Sequence, residues 1–138
     1  MEFRLTDEQL EVQQRIRDCC RKGISPGAAE LDAASAEEAQ KMVRERAKIL
    51  AREGLLGLGL ASKMGGVGGD LLGTVLLHQE LGEACPATAL SVLSSVGLCA
   101  RALCEWGEKA ERDAFLSGLL GGETIGAFGD LEPEASLD

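Results

Sequence analysis

Residues 70–106 read DLLGTVLLHQELGEACPATALSVLSSVGLCARALCEW, and this stretch decides the fold. Asp70 is a residue type that caps helix N-termini, and the apolar residues after it predict a helix with almost no polar face. After Cys85-Pro86, the stretch from Ala87 to Trp106 carries only two charged residues. Two successive apolar helices, each predicted to be buried on most sides, indicate the centre of a helical bundle.

The second apolar stretch approaches the ~20 residues that a membrane-spanning helix needs. Its serines, threonine and glycine dilute its hydrophobicity, and Arg101 within a span would cost roughly 2.5–3.5 kcal/mol on insertion scales. A central helix of a bundle explains the same pattern more simply. The sequence therefore predicts no membrane span.

Helix signals flank this stretch on both sides. Two capping boxes predict the starts of two amphipathic helices: they are Thr6 with Gln9 and Ser35 with Glu38. Gly23 and Gly54 predict the ends of these helices. Pro26 predicts a short helix between them, and residues 108–120 predict the last helix. The predicted fold class is all-α, an up-down bundle of about five to six helices with a short extended C-terminal tail.

The segment Leu55–Asp70, LLGLGLASKMGGVGGD, is apolar but punctuated by glycines, which predicts a loop with one buried face. A phosphate-binding loop of the Walker type would need its lysine directly after the last glycine, whereas Lys63 precedes the glycines. The dinucleotide fingerprint fails as well, because no strand leads into the loop. A structural turn between helices is the better interpretation.

Composition narrows the classes of partner. The 138 residues are 45% hydrophobic, enough for one domain with its own core. The formal net charge is -9, from 23 acidic and 14 basic residues, and the basic ones are scattered along the helices. This pattern favours neither nucleic acid nor an anionic membrane surface as a partner.

The cysteines are an odd number with one adjacent pair, and the polar N-terminus has no apolar signal run. This pattern predicts a reducing compartment, which we take as cytoplasmic. No cysteine lies at metal-ligand spacing from another cysteine or from His78, so no metal site is predicted. We expect all five to be small core residues: Cys19, Cys20, Cys85, Cys99 and Cys104.

Few residues suggest chemistry by themselves. His78 stands alone on an apolar helix and is expected to be structural or partly exposed. Ser94 and Ser95 have no base nearby in the sequence, and we expect them to pack the central helix and line a cavity. Ile125–Phe128 reads as the only plausible strand, yet a lone strand cannot satisfy its own backbone donors and acceptors.

Five segments, taken in order, are informative together. They are FRLTDEQ, ISPGAAELD, LAREGLLGLGLASKMGGVGGD, ELGEACPATAL and GGETIGAFGDLEPEASLD. In this order and spacing they closely resemble the N-terminal part of acyl-CoA dehydrogenases over essentially all 138 residues. The resemblance implies a helical N-terminal domain in residues 1–122 and the start of a middle β-domain in residues 123–138.

The resemblance also implies an activity. Members of the family use FAD to oxidise the Cα–Cβ bond of an acyl-CoA thioester in fatty acid metabolism, and they pass electrons to an electron-transfer flavoprotein. In the family the catalytic glutamate and much of the FAD contact come from a C-terminal helical domain that these residues do not match. The chain is therefore expected to contribute no catalytic residue, to bind no FAD alone and to be inactive alone.

Site residues follow from the same resemblance. The acyl-lining positions of the family correspond to residues of the long apolar helix and one tail residue: Thr88, Ala89, Val92, Leu93, Val96 and Leu137. The positions that approach the flavin correspond to Phe128, Asp130 and Leu131. The tail departs from the family pattern, because Leu131 replaces a threonine, Ser136 a glycine and Leu137 a serine. Met64 stands where many relatives carry tyrosine.

Two other interpretations stay open. The chain could be a naturally short, non-catalytic relative that binds a partner chain or subunit through the apolar faces that other domains would cover. Exposed apolar surface also predicts self-association. A generic helical module unrelated to flavin chemistry would require the ordered motif match to be accidental.

Overall fold

The computed structural model describes residues 4–129 of the chain. This part forms six helices and no strand, which confirms the predicted all-α bundle. The helices are α1 (Asp7–Gly23), α2 (Ala28–Ala33), α3 (Ala36–Arg52), α4 (Leu71–Ala84), α5 (Pro86–Trp106) and α6 (Lys109–Leu120). The middle of α5, Leu93–Ala100, is π-helical, with α-helical turns on either side.

Local capping signals fix the helix starts. The Thr6 side chain accepts from the Gln9 amide, and the Gln9 side chain accepts from the Thr6 amide, so the predicted capping box begins α1. The box of Ser35 and Glu38 begins α3 in the same way. Asp70 accepts from the Gly73 amide at 3.2 Å and begins α4 as predicted.

The helix ends differ in part from the sequence prediction. Gly54 takes the expected left-handed conformation, with φ of +71°. Gly23 does not: it is the last residue of α1, and the C-cap residue after it, Ile24, has right-handed helical geometry. A side chain at Gly23 would instead approach Ile49 of α3 to 3.0 Å, so close packing explains this glycine. The short α2 begins after Gly27, at φ of +77°, rather than at Pro26.

The helices pack around one core. Helix α1 packs against α3 and α4, α4 packs against α5, and α5 packs against α3 and α6. The loop between α3 and α4 buries four leucines, as predicted for a loop with one buried face: they are Leu55, Leu56, Leu58 and Leu60. Glycine amides of this loop donate to its own carbonyls, including Gly68 to Leu60, which supports the structural-turn interpretation.

A buried ion pair joins α1 to α4. The Glu80 carboxylate is only 3% exposed, and it accepts two hydrogen bonds from Arg17, at 2.9 and 2.7 Å, and one from Gln13 at 2.8 Å. Hydrogen bonding to Arg17 lowers the pKa of the Glu80 carboxyl below its ordinary value, against an opposing effect of burial.

The prediction that α4 and α5 are buried on most sides is wrong. Large apolar side chains on both helices are exposed: Leu71, Val75, Leu90, Leu93, Leu98 and Trp106. Leu10 and Phe115, apolar residues of α1 and α6, are exposed too, whereas Ile16 and Leu116 hold core positions on these helices. An apolar composition shows that residues avoid water, but it does not show which neighbour covers them.

Helix α5 is long and apolar enough, by length and composition, to cross a membrane. It has 21 residues and a mean hydropathy of 1.5, and 28% of its most apolar window is buried inside the bundle. Such a helix is also what the core of a bundle requires. The absence of a membrane span stays a prediction.

The cysteines form no disulfide in the described part of the chain. Cys20 and Cys85 are buried as expected of core residues, and the other three are partly buried. Burial raises the pKa of the Cys20 thiol to about 12, so this residue stays a protonated core thiol. No group of three metal-ligating side chains occurs between residues 4 and 129.

Candidate functional site

The predicted acyl-lining residues lie on two adjacent strips of α5. Thr88, Val92 and Val96 recur every four residues and are all buried against the bundle. Ala89 is partly buried, and Leu93, one turn further, is 40% exposed. The helix therefore presents Ala89 and Leu93 outward, with the other three residues packed behind them. Leu137 lies outside the described residues.

A buried polar cluster surrounds Thr88. Its hydroxyl accepts from Arg46 at 3.1 Å and donates to the Cys85 sulfur at 3.3 Å, and Arg46 also donates to Cys85 at 3.1 Å. Arg46 is buried and reaches the Pro26 carbonyl with its other terminal nitrogen. The cluster ties α3 to the junction of α4 and α5, so the Thr88 hydroxyl is already occupied within the bundle.

The positive charge of Arg46 lowers the pKa of the Cys85 thiol. Burial raises the pKa of this thiol, but hydrogen bonds from Thr88 and the nearby guanidinium outweigh it, and the net pKa lies below the ordinary value. The sequence analysis did not identify Arg46 as a member of this cluster. The pattern that could have indicated it is an arginine on the apolar stripe of α3, between Val43 and Leu50.

The segment Ile125–Phe128 has no regular secondary structure, so the strand prediction is wrong for the described part of the chain. Gly126 bonds instead to α5, where Ser94 donates to its carbonyl at 3.2 Å and Ser95 accepts from its amide at 3.0 Å. The two serines thus pack at the helix surface and hold the tail as well, which the sequence did not indicate, and their lining of a cavity stays a prediction.

The predicted flavin contacts are placed only in part. Phe128 follows the bonded Gly126 by two residues, and its side chain is 46% exposed. Asp130 and Leu131 lie outside the described residues. An apolar cavity of about 340 Å³ lies beside the tail, between α5 and α6. Its lining includes Cys99, Leu103, Phe115, Leu119 and Ala127.

His78 lies between α4 and the π-helical part of α5. Its Nδ1 lies 2.8 Å from the Thr74 carbonyl, to which it donates, and its Nε2 is buried without a partner. A side chain added at Gly97 would come within 3.9 Å of the imidazole. Because its Nε2 is covered by the bundle, His78 is placed as a packing residue in the described part of the chain.

Comparison with known proteins agrees with this architecture. Residues 6–123 match the family described as "Acyl-CoA dehydrogenase, N-terminal domain". The short-chain specific acyl-CoA dehydrogenase of Clostridium acetobutylicum is 33% identical over 138 residues, which is all of this chain and 35% of that protein.

Solved structures show the same fold. Butyryl-CoA dehydrogenase from Megasphaera elsdenii superposes with a TM-score of 0.76 at 30% identity, over 99% of this chain and 35% of that one. A chain in the structure of the electron transferring flavoprotein of Acidaminococcus fermentans superposes with a TM-score of 0.80 at 26% identity, over 98% of this chain and 34% of that one.

The chain spans about one third of the length of the relatives that it matches. The match covers the helical bundle from α1 to the end of α6. By sequence and by fold, this chain belongs to the acyl-CoA dehydrogenase family.

Proposed function

We propose that this chain supplies one wall of the acyl-CoA and flavin pocket of an acyl-CoA dehydrogenase. The observation that carries the proposal is a partly exposed apolar strip on α5, formed by the partly buried Ala89 and the 40% exposed Leu93, on the same helix that holds the tail before Phe128. An apolar strip of this kind can line an acyl chain and exclude water from it. Thr88, Val92 and Val96 would support the strip from behind.

FAD, when bound in this family, supplies the acceptor for the hydride that leaves the β-carbon. In this chain Phe128, Asp130 and Leu131 are the residues proposed to contact it. Support for this role comes from Phe128, whose side chain is exposed and which follows the hydrogen-bonded Gly126 by two residues. Leu131 could contribute only main-chain hydrogen bonds, because it lacks the hydroxyl of the family threonine.

We propose that the base that removes the α-proton, and most of the flavin contacts, come from polypeptide outside these 138 residues. The chain then has no activity alone, because proton removal and hydride transfer need both groups held in one geometry. The proposed boundary between the helical domain and the β-domain lies between residues 122 and 123. The end of α6 at Leu120 and of the family match at residue 123 supports this boundary.

The proposed electron acceptor is an electron-transfer flavoprotein. Support comes from the family and from the fold match to a chain in an electron transferring flavoprotein structure. A reducing compartment such as the cytoplasm is proposed from the free cysteines, since none pairs in the described part of the chain.

A chimera tests the proposed function. We would replace the corresponding third of the Clostridium acetobutylicum short-chain enzyme with this chain and measure bound flavin and the oxidation of butyryl-CoA. The isolated chain is expected to be colourless and inactive, and the chimera yellow and active. A yellow, active isolated chain, or a folded chimera without flavin, would contradict the proposal.

The acyl wall makes a more specific prediction. Leu93→Trp in the chimera should lower kcat/KM for octanoyl-CoA about 10-fold more than for butyryl-CoA, because a larger side chain shortens the acyl space. Leu10→Trp on α1 is the matched control, since Leu10 is a leucine of similar exposure, 48%. Equal losses for both substrates, or a similar shift in the control, would show that Leu93 does not line the acyl chain.

The alternative of a non-catalytic, partner-binding relative is favoured by the exposed apolar residues of α4 and α5, such as Leu71 and Leu90. Light scattering of the isolated chain measures the self-association that these faces predict. If the chimera is active, this alternative loses its basis.

A further inference from the structure

Gly126, in the tail after α6, forms hydrogen bonds to side chains of α5 through both its backbone amide and its backbone carbonyl. The Gly126 amide donates to Ser95 Oγ at 3.0 Å, and its carbonyl accepts from Ser94 Oγ at 3.2 Å. Ser95 is buried and Ser94 is partly buried. A residue inside a sheet is paired in the same complete way, so the two hydroxyls provide what a neighbouring strand would otherwise supply.

The π-helical segment helps to bring two adjacent serine hydroxyls to one residue. Successive side chains of an α-helix point about 100° apart, because the helix has 3.6 residues per turn. A π-helix bonds residues five apart and so has more residues per turn, which reduces this angle. Ser94 and Ser95 both lie within the π-helical Leu93–Ala100, and both hydroxyls reach Gly126.

Gly126 is also in close contact with the helix pair that it crosses. A Cβ at this position would lie 2.9 Å from Cys99 Sγ and 3.2 Å from a methyl group of Leu119. Only glycine allows the backbone to approach α5 and α6 this closely. The hydrogen bonds and the packing therefore fix the same point of the tail.

We infer that Ser94 and Ser95 are positioning residues. Their two hydrogen bonds to Gly126, here called the latch, hold the tail against α5 and thereby set the position of the flavin-side segment that begins at Phe128. The flavin part of this inference rests on the proposed function. Because Leu93, on the proposed acyl wall, directly precedes Ser94, one short segment of α5 would set both the acyl wall and the flavin-side backbone. The position of the acyl wall relative to the flavin-side backbone would then be set by residues of this chain alone.

Amide hydrogen exchange of the full 138-residue chain tests the latch without any cofactor. In Ser95→Ala we expect the Gly126 amide to exchange roughly 5- to 10-fold faster, the effect of losing one hydrogen bond. Ser95→Thr, which keeps a hydroxyl, should restore protection. Ser91→Ala is the matched control, because Ser91 bonds only to the Ala87 carbonyl within α5. Unchanged exchange in a Ser94→Ala/Ser95→Ala double variant would overturn the latch.

Flavin retention in the chimera tests the positioning role. The double serine variant of the chimera is expected to bind FAD with a Kd about 10-fold higher than that of the unsubstituted chimera. Faster exchange with an unchanged Kd for FAD would overturn the positioning role and leave the proposed function intact. If the unsubstituted chimera folds but binds no FAD, the proposed function and the flavin part of the inference both fail, and the exchange result alone decides the latch.

Discussion

Gly122→Ala is expected to lower the free energy of unfolding by about 2–5 kcal/mol, from overpacking and left-handed backbone strain together. Gly122 follows α6 with φ of +73°, and an added Cβ would lie 2.6 Å from the Ala47 carbonyl carbon and 2.7 Å from the Lys48 amide nitrogen of α3. These are backbone atoms of a helix, so they cannot move aside as a flexible side chain could. Urea unfolding followed by far-UV circular dichroism measures the loss.

Gly69→Ala is the matched control for this substitution. Gly69 has φ of +88°, but an added Cβ there would meet no atom within 4 Å. Gly69→Ala should therefore lower the free energy of unfolding only by the cost of left-handed backbone in a residue with a Cβ, about 1–2 kcal/mol. Equal losses in the two variants would show that the close approach of Gly122 to α3 does not constrain the fold.

Glu80→Gln is expected to cost about 1.5–3 kcal/mol at neutral pH, the range for hydrogen bonds to a charged group. The substitution removes the charge that accepts both bonds from Arg17, and an amide nitrogen would face the guanidinium donors. Arg17 is 42% exposed, so solvent screens the pair and the cost stays below that of a fully buried one. Glu45→Gln, at an exposed pair with Lys48, should change stability little.

Glu80 should also make the stability of the fold depend on pH. Hydrogen bonding to Arg17 lowers the pKa of Glu80 in the folded state, so the carboxylate stabilises the fold fully above its unfolded pKa of about 4.3. This contribution is lost as the pH falls below that value and through the lower folded pKa. Wild type should therefore lose more stability than Glu80→Gln between neutral pH and about pH 3. Parallel pH profiles for the two proteins would contradict this account of the pair.

Much of the candidate site could be located from the sequence only as a set of positions on a helix. The motif order gave α5 as the acyl wall, but the division of its five residues into an outer strip and a buried strip follows from what packs against the helix. Thr88 shows the difference, because its buried hydroxyl bonds to Arg46, 42 residues earlier in the chain. Asp130, Leu131 and Leu137 remain predictions from the family resemblance.

The sequence by itself determined the features that depend on a few neighbouring residues. The caps at Thr6, Ser35 and Asp70 each act over three residues, and the apolar runs of residues 70–106 predict α4 and α5. The family could likewise be identified from the sequence, because it follows from the order and spacing of five short segments.

Only the tertiary structure decided which apolar faces stay exposed, why Arg46 is buried and where the tail is held. The Gly126 contacts join residues 31 and 32 positions apart, and no local pattern encodes such a pairing. Burial and long-range hydrogen bonds depend on which surfaces meet when the helices pack, and that is a property of the assembled bundle.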